Sequence, residues 1–253
     1  MRSSVGRTRG AFAVVASVAL MSSCGGGDPA GDAARSSEAA SSAEETRAPG
    51  LASGLLPADA FGPEAAVVAI TREQLRHGAG AAAAGVESLQ FTPAECAAAV
   101  QGTQPEFDDF GDVAAQTATT GSATTVEVLV RGGPTKDTVD LLKAAAERCP
   151  QAQITAPEFG QATIIFESIP VEDLGDGAAL LRYTTAVSLP DGTQATIPAL
   201  IGAVQDDDRL LVLMNLQTSA LSGGAVADAA PMDPAAFTGL LEQAYEVQAE
   251  ALA

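Results

Sequence analysis

Four residues in the chain could carry nucleophilic, redox or metal chemistry: Cys24, Cys96, Cys149 and the single histidine, His77. Hydrolysis by a Ser–His–Asp or Cys–His arrangement would have to run through His77, yet no Gly-x-Ser-x-Gly elbow marks a nucleophile. Cys96 and Cys149 are too few ligands for a structural zinc site. Neither the dinucleotide-binding nor the phosphate-loop glycine pattern occurs. We therefore predict no catalytic residue, no metal and no cofactor, and we expect His77 to lie in a loop over residues 77–85.

Acidic side chains cluster in PEFDDFGD, residues 105–112, and again at Asp206–Asp208. Oxygen-rich clusters can hold calcium, but this spacing does not match the helix-loop-helix calcium pattern. A pair of carboxylates could also serve glycoside hydrolysis, although nothing in the sequence selects one pair. We expect both clusters to be solvated loops of an acidic protein.

Residues 1–23 have the pattern of an export signal. Arg2, Arg7 and Arg9 precede an apolar run over residues 11–20, and small residues follow it. A positively charged start, a short apolar stretch and small residues before a cleavage site are typical of a secretory signal. The run is shorter than the about 20 apolar residues that a transmembrane helix needs. Residues 1–23 are therefore predicted to be a signal peptide.

The next residue stands in Met21-Ser22-Ser23-Cys24, which resembles the bacterial lipobox, with Met21 in place of the usual leucine. The resemblance implies cleavage just before Cys24, a diacylglycerol on its sulfur and acylation of the new amine, with palmitate-type chains. Two fatty chains give stable anchoring where one does not. This predicts a lipoprotein on the extracytoplasmic face of the cell membrane. The alternative is an ordinary secretory signal that leaves Cys24 free.

The charge balance argues against one class of partner. The chain has 13 Lys+Arg and 32 Asp+Glu, a formal net charge of −19. Such an excess opposes contact with phosphate backbones, whose binding depends on basic residues, so no nucleic acid partner is expected. It also opposes anionic lipid headgroups, so a lipid attachment must hold the protein at the membrane.

Composition divides the mature chain into two parts. Residues 24–52 are rich in Gly, Ala, Ser and acidic residues without apolar periodicity, which predicts a disordered tether. A glycosylated or partner-binding tail is the alternative. Residues 53–253 are long enough for one domain with its own core.

Within the domain, Thr92-Pro93-Ala94-Glu95 reads as a capping box that begins a helix carrying Cys96. The alternation in TTVEVLVR, residues 124–131, predicts a half-buried strand with Glu127 on the polar side. A second helix is predicted to end at Cys149, and a C-terminal helix to begin at Asp233 with an apolar stripe that ends before Gln248. Further strands are predicted over residues 65–70, 151–156, 161–168, 179–189, 193–204 and 210–216.

Consecutive strands joined by tight turns, such as Pro190-Asp191-Gly192, indicate an antiparallel meander. Pro198 is expected at an edge or a bulge. The helices before and after the meander are expected to bury their stripes against one face of the sheet. The predicted fold class is α+β, a single domain with an antiparallel β-meander and helices packed on one face.

Export also bears on the two remaining cysteines. In an oxidising compartment an even pair of cysteines normally forms a disulfide. Cys96 and Cys149 are therefore predicted to be a structural disulfide, which leaves Cys24 for the lipid.

The order of these motifs resembles an uncharacterised family of actinobacterial, mycobacterial-type lipoproteins. More distantly it is similar to the extracellular sensor domains of mycobacterial serine/threonine kinases. The resemblance covers roughly residues 53 to 250 and rests on LLPADAF, FTPAEC, VEVLVRGGP and ERCP. The kinase sensors carry a second disulfide later in the sheet, which this chain lacks. The resemblance implies an envelope domain that binds a ligand in a cleft between sheet and helices.

Three functions follow as hypotheses. The first is a lipid-anchored, non-catalytic binding or sensor-like module for a small apolar or cell-wall-derived ligand. The second is an accessory protein of the envelope that acts through a protein surface, which a contiguous apolar patch on a sheet face or edge would favour. The third is a hydrolase, which in its histidine-dependent form needs His77 beside a serine and a carboxylate.

Overall fold

The structure is a computed structural model, and it describes residues 50–87, 89–97, 107–156, 160–188, 194–217 and 232–253. The predicted signal peptide, Cys24 and most of the predicted tether lie outside the described residues. So do the predicted turn at 190–192 and residues 219–231, for which a loop is expected. The first described helical turn is the 3-10 helix Leu51–Gly54. It lies two residues before the domain boundary expected at residue 53.

The described residues contain nine strands and three α-helices. The strands are β1 Ala66–Ile70, β2 Gln90–Thr92, β3 Asp112–Thr120, β4 Ala123–Arg131, β5 Gln151–Ala156, β6 Gly160–Ile169, β7 Gly177–Ser188, β8 Gln194–Asp206 and β9 Arg209–Gln217. The helices are α1 Arg72–Glu87, α2 Lys136–Arg148 and α3 Pro234–Ala251.

All nine strands form one antiparallel sheet in the order β1-β3-β4-β9-β8-β7-β6-β5-β2. Strands β5 to β9 are the predicted meander, and β9 returns to pair with β4 along nine residues. The predicted α+β class with an antiparallel sheet is confirmed.

The helices lie on both faces of the sheet, which differs from the prediction of one covered face. Leu180, Leu200 and Leu211 pack with α3 in one core, and we call this side the α3 face. The adjacent residues in these strands, such as Leu181 and Leu210, lie on the opposite side of the sheet. They pack with α1 and α2 in a second core, and we call this side the α2 face. Consecutive residues of the central strands are both apolar, so both faces of these strands must be covered.

The predicted loop over residues 77–85 is wrong, because α1 continues to Glu87. The missed signal is a capping box one turn upstream. The Gln74 amide donates to the Thr71 hydroxyl (3.2 Å) and the Thr71 amide donates to the Gln74 side chain (2.8 Å). Alanine, the commonest residue in this segment, has the highest helix propensity, whereas each glycine costs about 1 kcal/mol relative to alanine.

The predicted capping box at Thr92 is also wrong. Thr92 is the last residue of β2 and pairs with Gln153 of β5, so its backbone is committed to the sheet. A cis peptide bond joins Thr92 to Pro93, and helical residues begin only at Cys96.

The strand β4 is buried on both faces rather than half-buried. Glu127 lies on the α3 face and is 0% exposed, although its charge predicted a solvent position. Strand β8, which carries Pro198, lies inside the sheet between β7 and β9. Pairing with β9 begins one residue after the proline, at Ala199. At Pro198 itself, β8 is therefore paired only with β7.

Helix α3 begins as predicted. The Asp233 carboxylate accepts a hydrogen bond from the Ala235 amide at 3.1 Å, and the buried side of α3 includes Phe237 and Leu241. The helix approaches the sheet closely at Gly202, where a Cβ would lie 2.7 Å from a Leu241 methyl group. The buried side continues one turn further than predicted, because Gln248 is 0% exposed.

Candidate functional site

The structure brings two of the three predicted site residues together. The sulfur atoms of Cys96 and Cys149 lie 2.17 Å apart and their Cα atoms 5.6 Å apart, as in a disulfide. Both residues are buried, in a small separate core with Phe91 and Ile154. The pair joins the helical residues that follow β2 to the end of α2. Cys24, the predicted lipid attachment, lies outside the described residues.

His77 lies in α1 and is exposed. Within the part of the chain that the structure describes, it has no hydrogen bond or ion pair with a serine or a carboxylate. No Ser–His–carboxylate arrangement is therefore assembled around it by these residues.

The acidic clusters are paired or solvated where they are described. Asp108 pairs with Arg76 at 3.0 Å, and Asp206 pairs with Arg209. Asp207 and Asp208 are exposed at the β8–β9 turn. Among the described residues no group of three or more His, Cys, Asp or Glu side chains could hold a metal ion.

A cleft of about 490 Å³ opens on the α3 face, beyond the N-terminal end of α3. Its floor comes from β7, β8 and β9, and its wall comes from Met232–Pro234 at the start of the helix. Because α3 crosses only part of the sheet, the ends of these three strands extend past it. The volume lies in the range of about 300–1,000 Å³ that is usual for small-molecule sites.

A row of side chains crosses the floor of the cleft from strand to strand. The cross-strand register places Thr125, Asn215, Leu200, Arg182 and Glu167 in this order. The Asn215 amide donates to the Thr125 hydroxyl at 3.0 Å. At the other end, the Arg182 guanidinium pairs with the Glu167 carboxylate at 3.3 Å. Leu200 therefore lies between two polar groups that neighbouring side chains hold in place.

The rest of the lining is also mixed. Thr184 and Thr196 add hydroxyl groups, and Pro198 and Met232 add apolar surface. Such a lining can hold a molecule that has both apolar and hydrogen-bonding parts. The described part of the lining contains no histidine, the side chain that most often serves as a general acid or base.

The resemblance implied a cleft between sheet and helices, but the sequence did not identify the residues that line this one. The alternation in β7 indicates that Arg182 and Thr184 share a face, but it does not indicate which residues lie beside them. That information is in the register of β8 and β9 and in the point where α3 begins, neither of which is a local pattern.

Within the described residues, no helix is both long enough and apolar enough to cross a membrane.

No protein-family model matches the chain, and no curated protein matches it. Among solved structures, the chain is similar to the X-ray structure of an uncharacterised protein from Mycobacterium smegmatis, the Rv0999 ortholog. The two are 16% identical, the match covers 75% of this chain and 91% of that chain, and the TM-score is 0.46. This is a distant structural resemblance to a mycobacterial protein, and no function follows from it.

Proposed function

We propose that the protein is a lipid-anchored lipoprotein of the cell envelope and a non-catalytic, sensor-like binding module. In this proposal, Cys24 carries the lipid, the tether holds the domain off the membrane, and the cleft on the α3 face binds a small cell-wall-derived molecule. The motif likeness to mycobacterial-type lipoproteins and kinase sensor domains supports the same assignment.

The cleft is the observation that carries the proposal. Its mixed lining favours a ligand with hydroxyl, amide or anionic groups next to apolar surface, which is the chemistry of cell-wall fragments and lipid-linked sugars. The Arg182 guanidinium has N–H groups in addition to the one that meets Glu167 and can donate them to such a ligand. A purely apolar ligand would leave these donors unpaired, at a cost of about 1–3 kcal/mol for each buried one.

Thr196→Trp tests the cleft. Thr196 is exposed and lines the site, so an indole at this position should fill the cleft without disturbing the core. Thr119→Trp, on an exposed residue of β3 outside the cleft, is the matched control. We expect wild-type protein purified from its native host to carry a bound molecule in native mass spectrometry, and T119W to retain it. T196W should lose most of it.

Equal retention of the molecule by T196W would contradict the cleft as the binding site, and an empty wild-type protein would contradict the binding function. The second result would favour the accessory-protein hypothesis. For that function the described candidate surface is the edge strand β1, which has no charged side chain and in which Val68 is 52% exposed.

A further inference from the structure

The segment at the N-terminal end of the described residues is bound to the sheet by side chains rather than by strand pairing. We call residues Leu51–Leu56 the strap. Leu51 and Leu56 are each only 3% exposed and belong to the core of the α3 face. At Gly54 the strap approaches α3 and β4 so closely that a Cβ would lie 2.8 Å from a Leu252 methyl group. The strap is not among the strands of the described sheet.

Two side chains from the sheet hold the backbone of one strap residue. The Leu56 amide donates to both carboxylate oxygens of Glu127, at 3.1 Å each. The Gln116 side-chain amide donates to the Leu56 carbonyl at 2.8 Å and to the Glu127 carboxylate at 2.6 Å. Gln116 and Glu127 are opposite each other on β3 and β4. All hydrogen bonds of this cluster are buried.

We propose that Gln116 and Glu127 form a proton-sensitive clasp, which holds the strap on the sheet more tightly when Glu127 is neutral than when it is ionised. The strap lies at the N-terminal end of the described residues, directly after Gly50. This inference does not depend on the cleft or on a lipid at Cys24.

The electrostatic surroundings of Glu127 support a titration. Burial raises the pKa of the Glu127 carboxyl above its ordinary value, and the hydrogen bonds from Gln116 and Leu56 oppose this only in part. Within the described residues no cation forms an ion pair with Glu127. The charged groups on the elements packed around it are Asp59 after the strap, Asp112 on β3, Arg131 on β4, Arg209 on β9, and Glu242, Glu246 and Glu250 on α3.

The two arginines are occupied elsewhere. Arg131 pairs with Asp112 and Arg209 pairs with Asp206. Arg131 lies four residues from Glu127 along β4, which corresponds to about 13 Å. Ionisation of Glu127 therefore places in the core a negative charge that no described cation pairs with and that the hydrogen bonds from Gln116 and Leu56 offset only in part. Release of the strap would hydrate that charge.

The direction of the pH dependence follows from the linkage between proton binding by Glu127 and opening of the strap. A carboxyl whose pKa is higher in the closed state than in the open state binds its proton more tightly when closed. The opening constant of the strap should be flat at pH values below the ordinary glutamate range, near pH 4. It should rise by up to about tenfold per pH unit until the raised pKa is passed, and be flat again above it.

Hydrogen exchange of the Leu55 and Leu56 amides in the whole protein measures this opening constant, after correction for the intrinsic pH dependence of exchange. We expect the protection of these amides in wild-type protein to fall as the pH rises from about 4 to the raised pKa of Glu127. Glu127→Gln, which keeps the shape of the side chain but does not titrate, should remove this pH dependence. Glu147→Gln, an exposed glutamate of α2, is the matched control and should behave as wild type.

Gln116→Leu keeps the proposal testable if E127Q does not fold. Loss of the Gln116 hydrogen bond removes an interaction that lowers the Glu127 pKa, so the pH-dependent window should extend to higher pH. The same pH dependence in E127Q as in wild type, or an unshifted window in Q116L, would overturn the clasp.

Discussion

At the scale of single residues, Gln248 is the clearest departure from expectation. It lies on the sheet-facing side of α3 in line with Phe237, Leu241 and Ala244, and it is 0% exposed. Neither atom of its side-chain amide has a hydrogen-bond partner among the described residues. A buried polar group without a partner costs about 1–3 kcal/mol.

Replacing this amide with an apolar side chain of similar length should therefore stabilise the domain. We expect Gln248→Met to raise the free energy of unfolding by about 1–3 kcal/mol, as measured by urea denaturation followed by far-UV circular dichroism. Gln243→Met, at an exposed position of the same helix, should change it by less than about 0.5 kcal/mol. A loss of stability in Q248M would show that a bound water or another group satisfies the amide.

Residue types alone did not predict these buried polar positions. Glu127 and Gln248 both carry side chains that are normally exposed, and sequence reasoning therefore placed both at the boundary with solvent. For Glu127 the missing information was the strap, which supplies a backbone amide from 71 residues away in the chain. Such a partner leaves no mark in the alternation of β4.

At the scale of elements, the Cys96–Cys149 pair connects the helical residues that follow β2 to the end of α2. It closes a loop with a sequence separation of 53 residues and sits in a core that has five buried members among the described residues. A core of this size contributes little apolar burial by itself. The disulfide is therefore expected to hold β2 and the following helical residues against α2 and β5.

Removal of the disulfide tests this role. The chain-entropy model gives a loss of up to about 4 kcal/mol in the free energy of unfolding for a loop of this length, so Cys96→Ala combined with Cys149→Ala should lose a large part of that amount in urea. Thiol labelling of the unfolded, unreduced protein should modify neither cysteine. Labelling of both would contradict the disulfide.

Two segments with the same capping pattern show why the helices were predicted only in part. Thr71–Gln74 and Thr92–Glu95 have the same pattern, and only the first caps a helix. Thr92 is held in β2 by its pairing with β5, and this non-local contact overrides the local preference. Seven of the nine described strands were predicted, but β2 and β3 were not. Strand β3 consists mainly of alanine and threonine, so it lacks the alternation of large apolar residues that predicts a strand.

At the scale of the whole molecule, the antiparallel α+β class followed from the order of elements, but the second layer of helices did not. The paired apolar residues in β7, β8 and β9, such as Leu180-Leu181 and Leu210-Leu211, were the available signal. The cleft depends on that layering, since it forms where α3 stops covering the sheet. Its residues come from three strands and a helix start, and only the assembled register brings them together.

The proposed anchor also acts on the whole molecule. Cys24→Ala removes the only sulfur that the lipobox resemblance offers for lipid attachment, and two fatty chains account for stable membrane binding in the proposal. We expect C24A to appear in the soluble fraction after membrane sedimentation, while wild type and Cys24-retaining E147Q sediment. Membrane association of C24A at the wild-type level would contradict the lipid anchor.

The pairing of β4 with β9 has a consequence for the order in which the protein can be assembled. The hydrogen bond between Thr125 and Asn215 joins residues 90 positions apart, and β9 covers one edge of β4 by pairing with it along nine residues. A chain delivered from its N-terminus presents β1, β3 and β4 long before β9 arrives. Through that interval β4 is an uncovered apolar edge, the kind of strand that pairs with other chains. The C-terminal quarter of the protein is therefore what ends the period in which it is prone to aggregate.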